Sequence, residues 1–319
     1  MSSNVNKYLV VIAGPTAVGK TTIAIDLAGQ FETVVVSADS RQLFREMNIG
    51  TAKPAKDALQ TVPHYFIDHA SIAEPYSAGK YARECQALLE ELFAHRNVIF
   101  LAGGAGLYIR AVIEGFNKMP HVPMNIRQKW EQIHATEGLH VLQEAIRRAD
   151  PQFASEVDLK NPRRLIRALS LIETAGVPLT SLRRQAREGV PFTVLKVFCN
   201  LPREELYARI NARVDTMIEA GLVDEVKSLQ PYRDTQAMQT VGYKEIIAFL
   251  DGRCALEEAI AKIKQHSCNY AKRQLTWFRN QGDWTEFNPP DAEKIVQFIK
   301  KTIASHRGTA RGMNNLLID

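Results

Sequence analysis

The stretch Gly14-Pro15-Thr16-Ala17-Val18-Gly19-Lys20-Thr21 decides the fold of this chain. It fits the pattern GxxxxGK[ST], a loop in which glycines let backbone N–H groups converge on phosphate oxygens. The helix that follows such a loop adds its positive end. The flanks agree with this reading. Tyr8–Ala13 is a continuous apolar run, as expected of a strand buried on both faces, and Thr21–Phe31 has apolar residues at helical spacing, Ile23, Ala24, Leu27 and Ala28. Lys20 then neutralises phosphate charge, and the Thr21 hydroxyl is placed to ligate Mg²⁺. A phosphate-bearing ligand is expected.

The alternation continues outward. Thr33–Ala38 is β-branched and ends at Asp39, Ser77–His95 reads as a helix, and Val98–Ala102 is a further strand closed by Gly103-Gly104. Strand–helix alternation of this kind implies an α/β fold with a parallel sheet covered on both faces. From about Asn117 the pattern changes: Asn125–His134, Leu139–Ala149 and Gln152–Val157 read as short helices with no strand between them. Arg163–Thr174 is another helix, stopped by Gly176 and Pro178, and a strand returns only at Thr193–Asn200. The expected division is a core of residues 1–118 and 161–319 with a helical insertion at 119–160. The ownership of 161–190 stays open.

At 319 residues, 45% of them hydrophobic and 24% charged, the chain has the composition of a globular protein of about two domains. The mean hydropathy is −0.19, and no apolar run reaches the length of a membrane span. The polar start MSSNVNK leads straight into the first strand, so no signal or transit segment and a cytoplasmic location are expected. Cys85, Cys199, Cys254 and Cys268 form no CxxC pair and read as isolated buried thiols. The net charge of +5 is unevenly placed: residues 1–160 carry 16 Lys and Arg against 17 Asp and Glu, and residues 161–319 carry 24 against 18. Such a surplus is either a polyanion footprint or a set of solvated helix faces, and charge alone leaves both open.

An ATP-hydrolysing loop protein usually holds its magnesium with an Asp at the end of another apolar strand. Here Val98–Ala102 ends in Gly-Gly, and the one strand-end carboxylate is Asp39, within Asp39-Ser40-Arg41-Gln42. At the carboxyl edge of the sheet it could hold Mg²⁺ or accept a proton from a nucleophile. These residues by themselves indicate phosphate-ester or diphosphate chemistry, with a kinase in front.

Nine ordered blocks carry a more specific likeness: GPTAVGKT at 14–21, DSRQ at 39–42, MNIGTAKP at 47–54, VPHYFID at 62–68, GGAGLY at 103–108, PRRLIRAL at 162–169, RVDTMIEAGLVDEV at 213–226, QTVGYKE at 239–245 and AKRQLTWFR at 271–279. Over roughly residues 8–285 the chain resembles the bacterial tRNA dimethylallyltransferases. The resemblance implies a P-loop NTPase-like core whose loop holds the diphosphate of dimethylallyl diphosphate, with Mg²⁺. The dimethylallyl group passes to N6 of the adenosine just 3′ of the tRNA anticodon, and diphosphate is released. A free-adenylate prenyltransferase and a P-loop kinase are the rival readings.

The resemblance also implies roles. Asp39 takes the N6 proton, Thr16 lies near the bridging oxygen, and Arg213 grips the diphosphate. Asp39, Ser40, Arg41, Gln42, Ala105 and Arg127 are implied to meet tRNA, with Arg163, Arg164, Leu165, Ile166 and Arg167, and Gln239, Thr240, Val241, Gly242, Tyr243 and Lys244. The helical insertion is implied to cover the anticodon stem-loop. Two positions depart from the family pattern: Ala105 stands where Thr or Ser is usual, and Arg163 where Gln is usual. The cysteine spacing does not match the zinc finger of eukaryotic relatives. A monomer without zinc and without membrane contact is expected.

Overall fold

The computed structural model describes residues 7–115, 119–184 and 190–315. Contacts divide the chain into two compact units, Met1–Ile113 with Val190–Asp319, and Glu114–Gly189.

The first unit is built on a six-stranded parallel sheet. Strand β1 (Tyr8–Ala13) pairs in register with β4 (Val98–Gly103) on one side and β5 (Thr193–Cys199) on the other. The shorter β2 (Val35–Ser37), β3 (His64–Tyr65) and β6 (Thr285–Phe287) complete the order β3-β2-β4-β1-β5-β6. Alternation along β1 feeds two separate cores. Leu9, Val11 and Ala13 pack into a cluster with the helices α3 (Ala78–His95) and α4 (Gly106–Ile113). Tyr8, Val10 and Ile12 pack the other way, against α1 (Lys20–Gln30). Because β1 leads through α1 to β2 on one side while β5 leads to β6 on the other, their carboxyl ends border the crevice where open α/β sheets hold ligands.

The remaining helices of this unit are α2 (Lys56–Thr61), α10 (Arg203–Glu219), α11 (Leu222–Ser228), α12 (Tyr243–Leu250), α13 (Leu256–Arg279) and α14 (Ala292–Asn315). The sequence reading passed over α2, β3, α4, β6 and α14. Strands of two and three residues show almost no alternation, and β6 is largely exposed. Two of the four cysteines, Cys85 and Cys199, are buried as expected, whereas Cys254 and Cys268 are half-buried. Among the described residues no helix is long and apolar enough to cross a membrane.

The second unit contains helices and, among its described residues, no strand: α5 (Met124–Glu137), α6 (Leu139–Ala149), α7 (Pro151–Glu156), α8 (Pro162–Ala175) and α9 (Leu179–Arg184). It corrects the expected boundaries. Residues 161–189 belong with this unit because α8 supplies the spine of its core, where Leu165, Ala168 and Leu169 meet Leu142 and Ile146 of α6. The same packing corrects two expected RNA contacts: Leu165 and Ile166 have buried side chains.

Asp150 ties the unit together. Its Oδ1 accepts from the Phe153 N–H at 3.0 Å, capping α7, and from the Thr180 hydroxyl at 3.1 Å, while Oδ2 accepts the Thr180 N–H at 2.8 Å. The side chain is almost wholly buried, so its removal strands three donors. Asp150→Ala should destabilise the unit by about 2–4 kcal/mol. Urea unfolding checks this; Asp150→Asn, which keeps an acceptor, should lose less.

Candidate active site

The turn between β1 and α1 carries a cation with few charged neighbours. Lys20 Nζ donates to the Pro15 carbonyl at 2.7 Å. Burial pulls its pKa down to about 8, against the partial support of Asp39 and Cys199 and with a further push from Arg213. A desolvated ammonium of this kind gains most from an anion placed beside it.

Arg213 reaches the same turn from α10. Its Nη1 donates to the Thr16 hydroxyl and its Nη2 to the Thr51 carbonyl, both at 3.4 Å. Burial lowers its pKa, and Asp39 offsets part of that loss. Asp39 follows β2 and closes a tight turn in which its Oδ1 accepts the N–H groups of Arg41 at 2.8 Å and Gln42 at 3.2 Å. Its Oδ2 has no hydrogen-bond partner among the described residues. Thr16, Lys20, Thr21, Asp39 and Arg213 line one cavity of about 350 Å³. Residues from three places in the chain thereby present two cations, one carboxylate and two hydroxyls to a common space.

A sixth residue, Gln274 of α13, was not singled out from the sequence although it lies in the AKRQLTWFR block. Its Oε1 accepts the Thr16 N–H at 2.9 Å, and its Nε2 donates to the Gly104 carbonyl at 2.9 Å. The two glycines that end β4 thereby gain a physical reason. A Cβ at Gly103 would stand 2.2 Å from the Ala38 carbonyl oxygen, and one at Gly104 would stand 2.3 Å from Gln274 Nε2. The backbone thus excludes a side chain at Gly103, and one at Gly104 would displace the Gln274 amide.

Glu225 of α11 braces the neighbouring loop. Its Oε2 accepts from Asn48 N–H at 3.0 Å and Ile49 N–H at 2.8 Å, and its Oε1 accepts from Gly50 N–H at 3.1 Å and the Tyr243 hydroxyl at 2.6 Å. Thr51, next along, offers its carbonyl to Arg213 and to Gln42 Nε2. Tyr243 therefore corrects an expectation. It is fully buried and serves the loop, not RNA. Gln42 is also 92% buried, and its amide nitrogen is committed to the carbonyls of Thr51 and Ala52. Val241 packs half-buried against the core and Gly242 is a helix cap, whereas Gln239 and Lys244 are exposed. Thr240 is half-buried, with its hydroxyl oxygen unpartnered among the described residues. Ser40 and Arg41 are half-buried in the Asp39 turn. Ala105 is half-buried and donates its N–H to the Ala38 carbonyl at 3.2 Å.

In the helical unit, Arg163, Arg164 and Arg167 lie on the outward side of α8. Arg127 of α5 pairs with Glu131 at 2.8 Å. It also stands close enough to Arg167 to lower that residue's pKa, after the larger effect of burial. Arg167 has no ion-pair partner among the described residues.

A larger cavity, about 470 Å³, lies between α12 and α13 and is lined by Arg233, Lys244, Arg253 and His266. Its charges are already paired, His266 with Glu245 at 2.6 Å and both arginines with Asp251. Size alone does not make it the site; the unpaired chemistry is at the β1 turn. Among the described residues no three His, Cys, Asp or Glu side chains group as a metal site.

A family model described as IPP transferase matches residues 42–281. The chain belongs to the IPP transferase family. Relatives agree along almost the whole length. A tRNA dimethylallyltransferase of Cytophaga hutchinsonii is 43% identical over 298 residues, covering 93% of this chain and 98% of that one. The tRNA dimethylallyltransferase 1 of Bacteroides thetaiotaomicron is 42% identical, covering 93% and 97%. Among solved structures, the full-length tRNA isopentenylpyrophosphate transferase of Bacillus halodurans is 37% identical with a TM-score of 0.70, covering 97% and 99%. A eukaryotic dimethylallyltransferase acting on tRNA is 25% identical with a TM-score of 0.78, covering 97% of this chain and 79% of that one. In this family member the expected P-loop NTPase-like core is the observed one.

Two expectations follow from the geometry. An anion beside Lys20 raises its pKa, so above about pH 8 anion binding must draw a proton from solution. Calorimetry of inorganic pyrophosphate binding in buffers of different ionisation enthalpy should show uptake of up to about one proton at about pH 8.5. Little uptake by Lys20 is expected at about pH 6.5, where it is already charged, and Lys20→Arg should abolish the difference. Separately, Gln274→Leu leaves the Thr16 N–H and Gly104 carbonyl unpaired and should weaken pyrophosphate binding about tenfold or more. Gln274→Glu keeps the acceptor for the Thr16 N–H but sets a negative charge in the anion cavity, and should lose at least as much.

Proposed function

We propose that this IPP transferase family member transfers a dimethylallyl group from dimethylallyl diphosphate to N6 of the adenosine immediately 3′ of the anticodon in tRNA. The observation that carries this reading is the meeting of Thr16, Lys20, Asp39 and Arg213 at one cavity, with no strand-end carboxylate of the ATPase kind after β4. The names of the relatives point to the same class of donor and acceptor.

In this reading the diphosphate sits in the Gly14–Thr21 loop between Lys20 and Arg213. Negative charge grows on it as the allylic C–O bond breaks, and both cations are desolvated, so their pull is strong where it is needed. The adenine amine attacks the freed allylic carbon. Its lone pair is delocalised into the ring, which makes it a poor nucleophile, and Asp39 Oδ2 accepts its proton as the C–N bond forms. Thr16 shares its hydroxyl with Arg213 and stands at the loop where the bridging oxygen departs. The exposed Thr21 hydroxyl is a hard oxygen donor that would help to hold a Mg²⁺ bound with the diphosphate. The metal supplies further neutralisation of the leaving group.

The target base belongs to a stacked anticodon loop and must be extruded to reach Asp39. Arg127, Arg163, Arg164 and Arg167 of the helical unit, with Gln239 and Lys244 of the first, are the exposed or weakly paired residues that meet the RNA in this reading.

The decisive assay supplies labelled dimethylallyl diphosphate with tRNA, with AMP, or replaces it by ATP and nucleosides. Label should enter tRNA alone, and label in AMP or phosphate transfer from ATP would favour the two rival activities. Asp39→Ala should lower kcat by about 10²–10⁴ with tRNA affinity largely kept. A loss of less than about tenfold at saturating substrates removes Asp39 from the role of base.

A further inference from the structure

Tyr270 is the large aromatic side chain of the candidate cavity whose position no hydrogen bond or core packing explains. It lies on α13, one helical turn before Gln274, and both residues line the same cavity as Asp39 and Arg213. It is 36% exposed, whereas Tyr81, Tyr108 and Tyr243 of the same unit are buried. The Arg273 guanidinium lies over its ring, 5.7 Å from the centroid. A partly exposed ring in a cavity wall offers a flat apolar face on which an aromatic guest can stack.

We propose that Tyr270 is the wall against which the extruded acceptor base stacks, with the ring, not the hydroxyl, as the working part. The inference rests on the reading that a tRNA base enters this cavity.

Three observations favour a base over the prenyl chain as the occupant of this wall. First, Tyr270 lines the cavity together with Asp39, and the charges of Asp39, Arg41 and Arg273 reach its hydroxyl. Second, Tyr270 keeps about a third of its surface exposed, which leaves part of the side chain open to an acceptor arriving from outside. Third, the neighbouring guanidinium already places positive charge over the ring, which disfavours a second cationic guest such as a developing allylic cation. A neutral heteroaromatic base has no such penalty, and Arg273 is free to follow the sugar–phosphate chain beside it. The hydroxyl is pushed up to about 12, chiefly by burial and then by Asp39, and therefore stays protonated and does not compete with Asp39 for the amine proton.

The test is a series at this one position, Tyr270→Phe, Tyr270→Leu and Tyr270→Ala, in the full-length protein. Each variant is assayed for kcat/KM toward tRNA, for donor KM, and for binding of inorganic pyrophosphate. Loss of one base–ring stack should lower kcat/KM for tRNA about 5- to 150-fold in Tyr270→Ala. Tyr270→Leu should recover part of the loss, and Tyr270→Phe should stay within about threefold of the parent. Donor KM and pyrophosphate binding should not change, which also shows that the cavity remains folded.

Equal losses in Tyr270→Phe and Tyr270→Ala would transfer the role to the hydroxyl and overturn the stacking wall. A loss expressed in donor KM would assign the ring to the prenyl group and overturn it as well. Less than twofold change throughout, in a parent that prenylates tRNA, would overturn the wall and leave the prenyl-transfer reading intact. A parent that labels no tRNA would overturn both.

Discussion

Tyr8–Ala13 is hydrogen-bonded on both sides, to Val98–Gly103 and to Thr193–Cys199, and all six of its side chains are buried. A strand so placed has no freedom of register. A slip of one residue would exchange its two faces and turn Leu9, Val11 and Ala13 toward the core now filled by Tyr8, Val10 and Ile12. The turn that begins at Gly14 therefore starts from a fixed point, at the carboxyl edge of the sheet. Everything the site needs is brought to that point: Asp39 by β2, the Gly-Gly corner by β4, Arg213 by α10 and Gln274 by α13.

The site is held by a small number of side chain to backbone bonds across long sequence distances. Gln274 clasps the Thr16 N–H and the Gly104 carbonyl, and Glu225 gathers three successive N–H groups beside Thr51. Such bonds fix loops whose own sequences would allow many conformations. They also place Arg213, whose donors reach the Thr16 hydroxyl and the Thr51 carbonyl. Buried polar groups that are paired in this way confer position more than stability, because water would satisfy them nearly as well in the unfolded chain.

The electrostatics run the other way. Lys20 and Arg213 are both drawn out of water, and Asp39 makes up only part of the lost hydration. The cavity is thus poised for an anion. A diphosphate whose charge increases as it leaves suits this arrangement better than a neutral ligand, because the cations need not reorganise as the charge develops.

Much of this was legible along the chain. The GxxxxGK[ST] stretch, the apolar run before it and the helical spacing after it fixed the phosphate-loop character, because those properties are local: backbone geometry, periodicity and one cation. The boundaries of α6 are legible to the residue, and those of α1, α3 and α8 to within one. What could not be read is what depends on neighbours distant in sequence. Leu165, Ile166 and Tyr243 sit in blocks implied to touch RNA, yet their side chains are buried, and only the packing of α8 on α6 and of Tyr243 on Glu225 reveals it. Residues 161–189 fell to the helical unit for the same reason, since ownership is decided by which core a helix fills. Gln274 and Glu225 carried no signal of their own, because a lone Gln or Glu on an amphipathic helix looks like a solvated residue. By itself the sequence determined the sheet, the loop and the kind of ligand; the tertiary structure decided which side chains face that ligand, because only folding brings distant donors and acceptors within hydrogen-bonding distance and takes water away from them.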